Sequence, residues 1–188
     1  MNTNNTDFFV DEVLEEAPRF GLIEDHNGSP CRCSEVEEDQ WNAEINNPSK
    51  CRLYFNPIDK HLKVSAEYSD DRRDKKRCDA ILHSTSTLLF IELKDIRKAR
   101  DRKNARRKAV EQLLSTVRHY QSSAFRRNFP AQYAAICFRR PQVSLNVNVS
   151  SAASKEQLNE MGFALVSGYR IIFDEEGKIQ MKESADDQ

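Results

Sequence analysis

The stretch that most restricts how this chain can fold is "KRCDAILHSTSTLLFIELKD", residues 76–95, in which two apolar runs flank a Ser/Thr-rich turn. "RCDAILH" and "TLLFIELK" are short apolar runs bounded by polar residues, the pattern of buried strands. Joined by "STST", they predict a β-hairpin. Alternate residues of a strand share a face, so Glu92 and Lys94 point one way and Leu93 the other. "STST" lies near the midpoint between Asp79 and Glu92, so the hairpin folds Asp79 back beside the Glu92 end. Either the strand ends in water there, or three charges meet at one site.

The flanking segments give that hairpin a setting. "CRLYFNP" and "HLKVSAEY" read as strands around a turn at 56–60, so three or four strands in succession predict an antiparallel meander. Downstream, Val110, Leu113, Leu114, Val117 and Gln121 recur at helical spacing, with Tyr120 alongside. They predict a helix over 105–122. Its first turns are almost purely basic, against the preference for acids at a helix start, which hints at a bound anion. "QYAAICF" predicts a buried strand and "VSLNVNVS" a half-exposed one. "SKEQLNEMG" predicts a short helix with a capping box at Ser154 and Gln157 and a stop at Gly162. "FALVSGYRIIF" and "KIQM" predict a final strand pair around a turn at 174–177.

The N-terminal third is less regular. Phe8, Phe9, Val13 and Leu14 suit a short amphipathic helix ending before Pro18. "FGLIEDHNGSPCRC" reads mostly as turns. "SEVEEDQWNAEINN" predicts a second short acidic helix from Ser34, with a capping box at Ser34 and Glu37. A length of 188 residues, 38% hydrophobic and 31% charged, predicts one domain over 1–182 with a flexible tail at 183–188. No apolar run approaches the ~18 residues of a membrane span, and the polar, acidic N-terminus lacks signal-peptide character. A cytoplasmic protein without membrane contact is therefore expected. Five cysteines without a secretory signal predict reduced thiols. His26, Cys31, Cys33 and Cys51 match no strong zinc spacing.

The net charge of −1 conceals an asymmetry. Residues 1–71 carry 6 Lys and Arg against 16 Asp and Glu, a net of −10, whereas residues 72–127 carry 17 against 6, a net of +11. A basic centre beside an acidic flank predicts a local anionic partner. The cluster Arg97, Lys98, Arg100, Arg102, Lys103, Arg106, Arg107 and Lys108 follows the hairpin directly and suits nucleic-acid phosphates. Arg126, Arg127, Arg139 and Arg140 could extend the same surface, and the competing interpretation is a solvated helix face.

The three charges of the hairpin can do hydrolytic chemistry. Two carboxylates hold a hard divalent cation such as Mg²⁺ or Mn²⁺, which keeps several waters, and the backbone carbonyl of Leu93 can complete the shell. Such an ion acidifies a bound water and offsets charge on a phosphodiester. Lys94 can orient that water, help deprotonate it, or stabilise developing negative charge.

Asp79 followed by Glu92-x-Lys94 at the end of an apolar strand resembles the PD-(D/E)xK nuclease superfamily. The run "KCRLYFNPIDKHL…KRCDAIL…FIELKD…AVEQLLST" is similar to small uncharacterised bacterial members, and the resemblance covers roughly 50–138. Cys78 stands where the family usually has proline. The resemblance implies a restriction-endonuclease-like α/β (α+β) fold, a mixed central β-sheet flanked by helices. It implies Asp79 and Glu92 as metal ligands, Lys94 as the catalytic amine, and Gln112 as a further catalytic residue opening a motif on the helix. The family often adds an N-terminal acid, for which Glu12, Glu15, Glu16, Glu37, Glu38 and Glu44 are candidates. Glu44, on the predicted helix nearest the first strand, is preferred. The implied activity is metal-dependent hydrolysis of DNA, or of RNA, with defence against foreign DNA as the role the resemblance suggests. A homodimer or a partner protein is compatible with it. The alternative is a non-catalytic nucleic-acid-binding or regulatory subunit on the same fold.

Overall fold

The computed structural model describes residues 9, 13–24, 29–58, 77–95, 101–124, 127–139 and 152–182. The predicted strands "HLKVSAEY" and "VSLNVNVS", and the C-terminal tail, lie outside the described residues.

The strands are β1 Val13–Glu15, β2 Arg19–Ile23, β3 Arg32–Ser34, β4 Ala43–Asn46, β5 Leu53–Pro57, β6 Ala80–His83, β7 Thr87–Lys94, β8 Ala131–Phe138, β9 Ala164–Gly168, β10 Arg170–Phe173 and β11 Ile179–Lys182. Two helices, α1 Arg102–Ser122 and α2 Ala152–Glu160, connect β7 to β8 and β8 to β9. Six strands form a first sheet in the order β1-β5-β6-β7-β8-β9, and five form a second in the order β11-β10-β4-β2-β3. Both are mixed. The architecture is therefore mixed α/β.

β5, β6 and β7 are the expected antiparallel meander, with Phe55 opposite Leu82 and Ala80 opposite Ile91. β7, β8 and β9 run parallel through the two helical crossovers. Seven of the eight residues of β7 are buried, because both faces of this strand are covered. A two-sided strand reads as a continuous apolar run rather than an alternating one. On one face Leu88 and Phe90 pack with Ala134, Ile136, Leu158, Phe163 and the α1 residues Val110, Leu113, Leu114 and Val117. On the other, Leu89, Ile91 and Leu93 pack with Phe20, Leu22, Ile45, Ile171 and Phe173 of the second sheet. A mixed sheet with helices packed on it is the expected coarse architecture, to which the described residues add a second sheet. Both helices lie on one face, and a second sheet closes the other.

α1 begins three residues before the predicted helix and ends where predicted. The Tyr120 hydroxyl donates to the Arg127 carbonyl at 2.7 Å and accepts from the Arg127 N–H at 3.0 Å, which pins the chain leaving the helix. α2 begins at Ala152, so Ser154 lies inside the helix rather than capping it.

The N-terminal third departs most from expectation. Residues 13–15 form β1, an edge strand against β5, and Val13 and Leu14 remain 51% and 47% exposed. A helix there would have needed a core partner for those side chains; the open edge of β5 supplies backbone hydrogen bonds instead. "FGLIEDHNGSPCRC" contains the hairpin strands β2 and β3. Phe20 and Leu22 alternate into the core between the sheets, so burial overrides the turn composition. Ser34 Oγ accepts the Glu37 N–H at 3.3 Å as a capping residue does. Only a 3-10 turn at Glu38–Gln40 follows, and β4 then runs between β2 and β10 in the second sheet. "FALVSGYRIIF" divides at Tyr169, giving β9 to the first sheet and β10 to the second. β10 and β11 do form the expected pair.

Candidate active site

The chain approaches β6 through Arg77 and Cys78, and Asp79 stands just ahead of the strand. The Asp79 N–H donates to the Ile91 carbonyl at 2.9 Å, and the Asp79 carbonyl accepts from the Ile58 N–H at 3.0 Å. The side chain is held as firmly. Oδ2 accepts the Leu93 N–H at 2.6 Å, so the carboxylate lies across the last turn of β7. Strand alternation puts Glu92 and Lys94 on the face shared with Leu88 and Phe90. In β8, Ile136 and Phe138 stand opposite them. The hairpin thus brings Asp79, Glu92 and Lys94 to one end of the first sheet, as the sequence predicts. Leu93 enters through its amide, while its side chain belongs to the core between the sheets.

Glu92 is 0% exposed. Its Oε1 accepts from Lys94 Nζ, and its Oε2 has no hydrogen-bond partner among the described residues. Burial, and then the Asp79 charge, push the Glu92 carboxyl up to about 9 despite Lys94. Burial pulls Lys94 down, but Glu92 and Asp79 outweigh it and the ammonium is raised. Lys94 keeps 20% of its side chain exposed, so it is the member of the trio in contact with solvent. A buried carboxylate oxygen without a donor is costly unless a proton or a cation meets it.

The charge of Glu24, directly after β2 in the second sheet, also reaches both Glu92 and Lys94. Its backbone N–H donates to Asn42 Oδ1 at 2.9 Å. Sequence reasoning passed over Glu24 because it sits in a stretch dominated by turn signals. The six expected N-terminal acids are placed differently. Glu12 lies outside the described residues. Glu16 meets Arg52 at 3.5 Å, Glu37 binds Arg32, and Glu38 binds Arg19 at 2.8 Å. Glu15 is on β1, raised by burial and Glu35. Glu44, the preferred ligand, is on a strand rather than a helix. Its buried Oε1 lies 2.9 Å from Arg19 Nε and 3.1 Å from Arg170 Nε, so two guanidinium groups already satisfy it.

Gln112 is on α1, but its side chain serves the backbone. Nε2 donates to the Arg77 carbonyl at 2.9 Å. One turn on, Thr116 Oγ1 accepts the Cys78 N–H at 2.9 Å and donates to the Gln112 carbonyl at 2.9 Å. Thr116 carries no sequence signal beyond its spacing from Gln112.

Of the basic cluster, Arg97, Lys98 and Arg100 lie outside the described residues. Arg102 opens α1, and Lys103, Arg107 and Lys108 are exposed along it. The Arg106 guanidinium stands 5.8 Å from the centre of the Phe138 ring, and Phe138 is opposite Lys94. The basic end of α1 therefore adjoins the Lys94 end of β7. Arg139, expected to extend that surface, meets Asp95 at 3.4 Å and donates to the Asp39 carbonyl at 2.9 Å. The Arg127 guanidinium lies over the Phe9 ring at 3.9 Å. Arg126 and Arg140 lie outside the described residues.

Among the described residues, no three His, Cys, Asp or Glu side chains gather as a metal site. All five cysteines are free of disulfides. The Cys51 thiol donates to the Asp174 carbonyl at 3.4 Å. The donor set at the end of β7 is thus a carboxylate pair, all hard oxygens, which suits Mg²⁺ or Mn²⁺ with water completing the shell and does not suit a thiophilic ion. No helix of the described residues is long and apolar enough to cross a membrane. Comparison with known proteins returns no match, whether to a family model, a curated protein or a solved structure.

Proposed function

We propose that this chain is a divalent-metal-dependent nuclease of the PD-(D/E)xK type that hydrolyses phosphodiester bonds, with DNA as its substrate. The observation that carries the proposal is the fully buried Glu92, whose Oε2 lacks a donor while Asp79 adds a second carboxylate beside it. Asp79 and Glu92 would hold Mg²⁺ or Mn²⁺, which supplies Lewis acidity and an activated water. The chain's own groups do the rest. The Leu93 N–H fixes the Asp79 carboxylate, so little reorganisation is needed when a cation arrives. Lys94, partly exposed and held as the ammonium, is the group able to give a proton or to hold a developing anionic oxygen. Lys103, Arg107 and Lys108, exposed on α1, offer charge to the phosphate backbone.

Purified protein with Mg²⁺ or Mn²⁺ should nick or degrade DNA, and chelation should stop it. Glu92→Ala and Lys94→Ala should each lower the rate by roughly 100-fold or more. Cleavage by either variant at the parent's rate would sink the assignment. One observation favours a second reading: Lys94 already donates to Glu92 Oε1 without a metal. A nucleic-acid-binding subunit that does not cut would show salt-sensitive DNA binding and no metal-dependent cleavage of any DNA or RNA form.

A further inference from the structure

Four hydrogen bonds connect α1 to the carboxylate pair through the backbone. Gln112 Nε2 donates to the Arg77 carbonyl and Thr116 Oγ1 accepts the Cys78 N–H, each at 2.9 Å. The Thr116 hydroxyl donates in turn to the Gln112 carbonyl, which sets the direction of its lone pairs. One residue beyond Cys78, Asp79 accepts the Leu93 N–H. Arg77 and Cys78 precede the first residue of β6. The helix satisfies the Cys78 N–H in a region where Cys78 is fully buried and Thr116 nearly so, and a buried N–H needs such a partner.

We propose that Gln112 and Thr116 are positioning residues, which clamp the backbone of Arg77 and Cys78 from α1 and thereby hold the Asp79 carboxylate against the end of β7. Neither touches the reacting centre. Gln112, expected from its motif to be catalytic, acts through the backbone of a neighbouring segment. Thr116 is the stronger of the two because its hydroxyl both accepts and donates in a buried setting.

The consequence for catalysis rests on Asp79 and Glu92 being a metal pair, but the clamp can be read without metal. The test compares the parent with Thr116→Val, Thr116→Ser and Gln112→Met in the full chain. Amide hydrogen exchange is followed at Leu93, with the amides of β10 as an internal reference. Mn²⁺ affinity and cleavage kinetics are measured alongside. Thr116→Val should speed exchange at Leu93 about tenfold, the loss of roughly one hydrogen bond's protection. It should leave β10 unchanged, weaken Mn²⁺ binding by roughly 10- to 100-fold, and lower kcat with little effect on KM for DNA. Thr116→Ser should restore the parent's values. Gln112→Met should show the same pattern more weakly, and it carries the test if Thr116→Val does not fold. Unchanged Leu93 exchange in a folded Thr116→Val or Gln112→Met overturns the proposal. A parent that binds no Mn²⁺, yet responds at Leu93 as expected, upholds the clamp and removes the metal-pair reading instead.

Discussion

At the scale of single residues, the molecule's most unusual feature is a carboxyl group placed where it resists ionisation. Glu92 is held up to about 9 from the ordinary 4.5 by burial and by Asp79. The sign of the resulting pH effect follows from linkage. Between those two values the folded chain keeps a proton on Glu92 that the unfolded chain has lost, so stability falls as pH rises through the window. The slope approaches ~1.4 kcal/mol per pH unit for one proton. Lys94 is raised as well, so its own effect lies above 10.5 and outside that window. In chelator-treated protein, urea denaturation should therefore show lower stability at about pH 8.5 than at about pH 5.5. Glu92→Gln should remove most of that difference. An equal slope in parent and variant would place the titration elsewhere. The Cys78 thiol is also held protonated, by burial and then by Glu92, which leaves it an inert neighbour rather than a nucleophile.

Elements in the second sheet are held by contacts that composition does not announce. Gly21, in the middle of β2, passes under the Trp41 indole, and a Cβ there would stand 1.9 Å from the ring. Gly21→Ala should cost about 3 kcal/mol, because both the strand and the buried Trp41 are fixed. A drop in melting temperature with a change in Trp41 fluorescence would report it; an unaltered Tm would mean that the indole can move aside. The pairing of β4 with β10 puts Glu44 opposite Arg170, and with Gly21 beside it in β2 the carboxylate reaches Arg19 too. Glu44→Ala would leave two guanidinium groups facing one another and should destabilise the chain by about 3 kcal/mol. Mn²⁺ affinity should be unchanged in the same variant. A loss of metal binding without loss of stability would return Glu44 to the site.

On the scale of the whole molecule, the first sheet is a wall between two cores. α1 and α2 close one side and the second sheet closes the other. The Ser86 hydroxyl, in the β6–β7 turn, donates to the Glu176 carbonyl of the β10–β11 turn at 2.7 Å, tying the two sheets at the end away from Lys94. At the other end stand Lys94 of β7 and the basic start of α1. If that end meets DNA, replacing Lys103, Arg107 and Lys108 together by Ala should lower the slope of log affinity against log salt by roughly 3. The loss should be similar for unrelated DNA sequences. An unchanged slope would show that these side chains are only a solvated face. Arg139 and Arg127 are already engaged with Asp95 and the Phe9 ring, and their substitution should act on stability rather than on salt dependence.

What the sequence determined by itself is the part whose signals are local. "TLLFIELK" is long enough to show two-sided burial, "STST" is short enough to force a hairpin, and "AVEQLLSTVRHY" repeats its apolar residues at helical period. From these alone follow the neighbourhood of Asp79, Glu92 and Lys94 and the basic helix beside them. What only the tertiary structure decided is β1 to β4, the assembly of the second sheet and everything that depends on it. β1 to β4 are three to five residues long, too short for any period to emerge, and β1 and β4 take partners distant in the chain, β5 and β10. Whether "FGLI" was a turn or a strand depended on Leu89, Ile91 and Leu93 offering an apolar face to cover. The same packing brought Glu24 toward the site and drew Glu44 into an ion pair. Gln112 carried a motif in its spacing, but its bond to Arg77 exists only because α1 lies over the chain leading into β6. Local pattern chooses elements, whereas the choice of partner for a short polar-flanked strand depends on surfaces that exist only once the first sheet has formed.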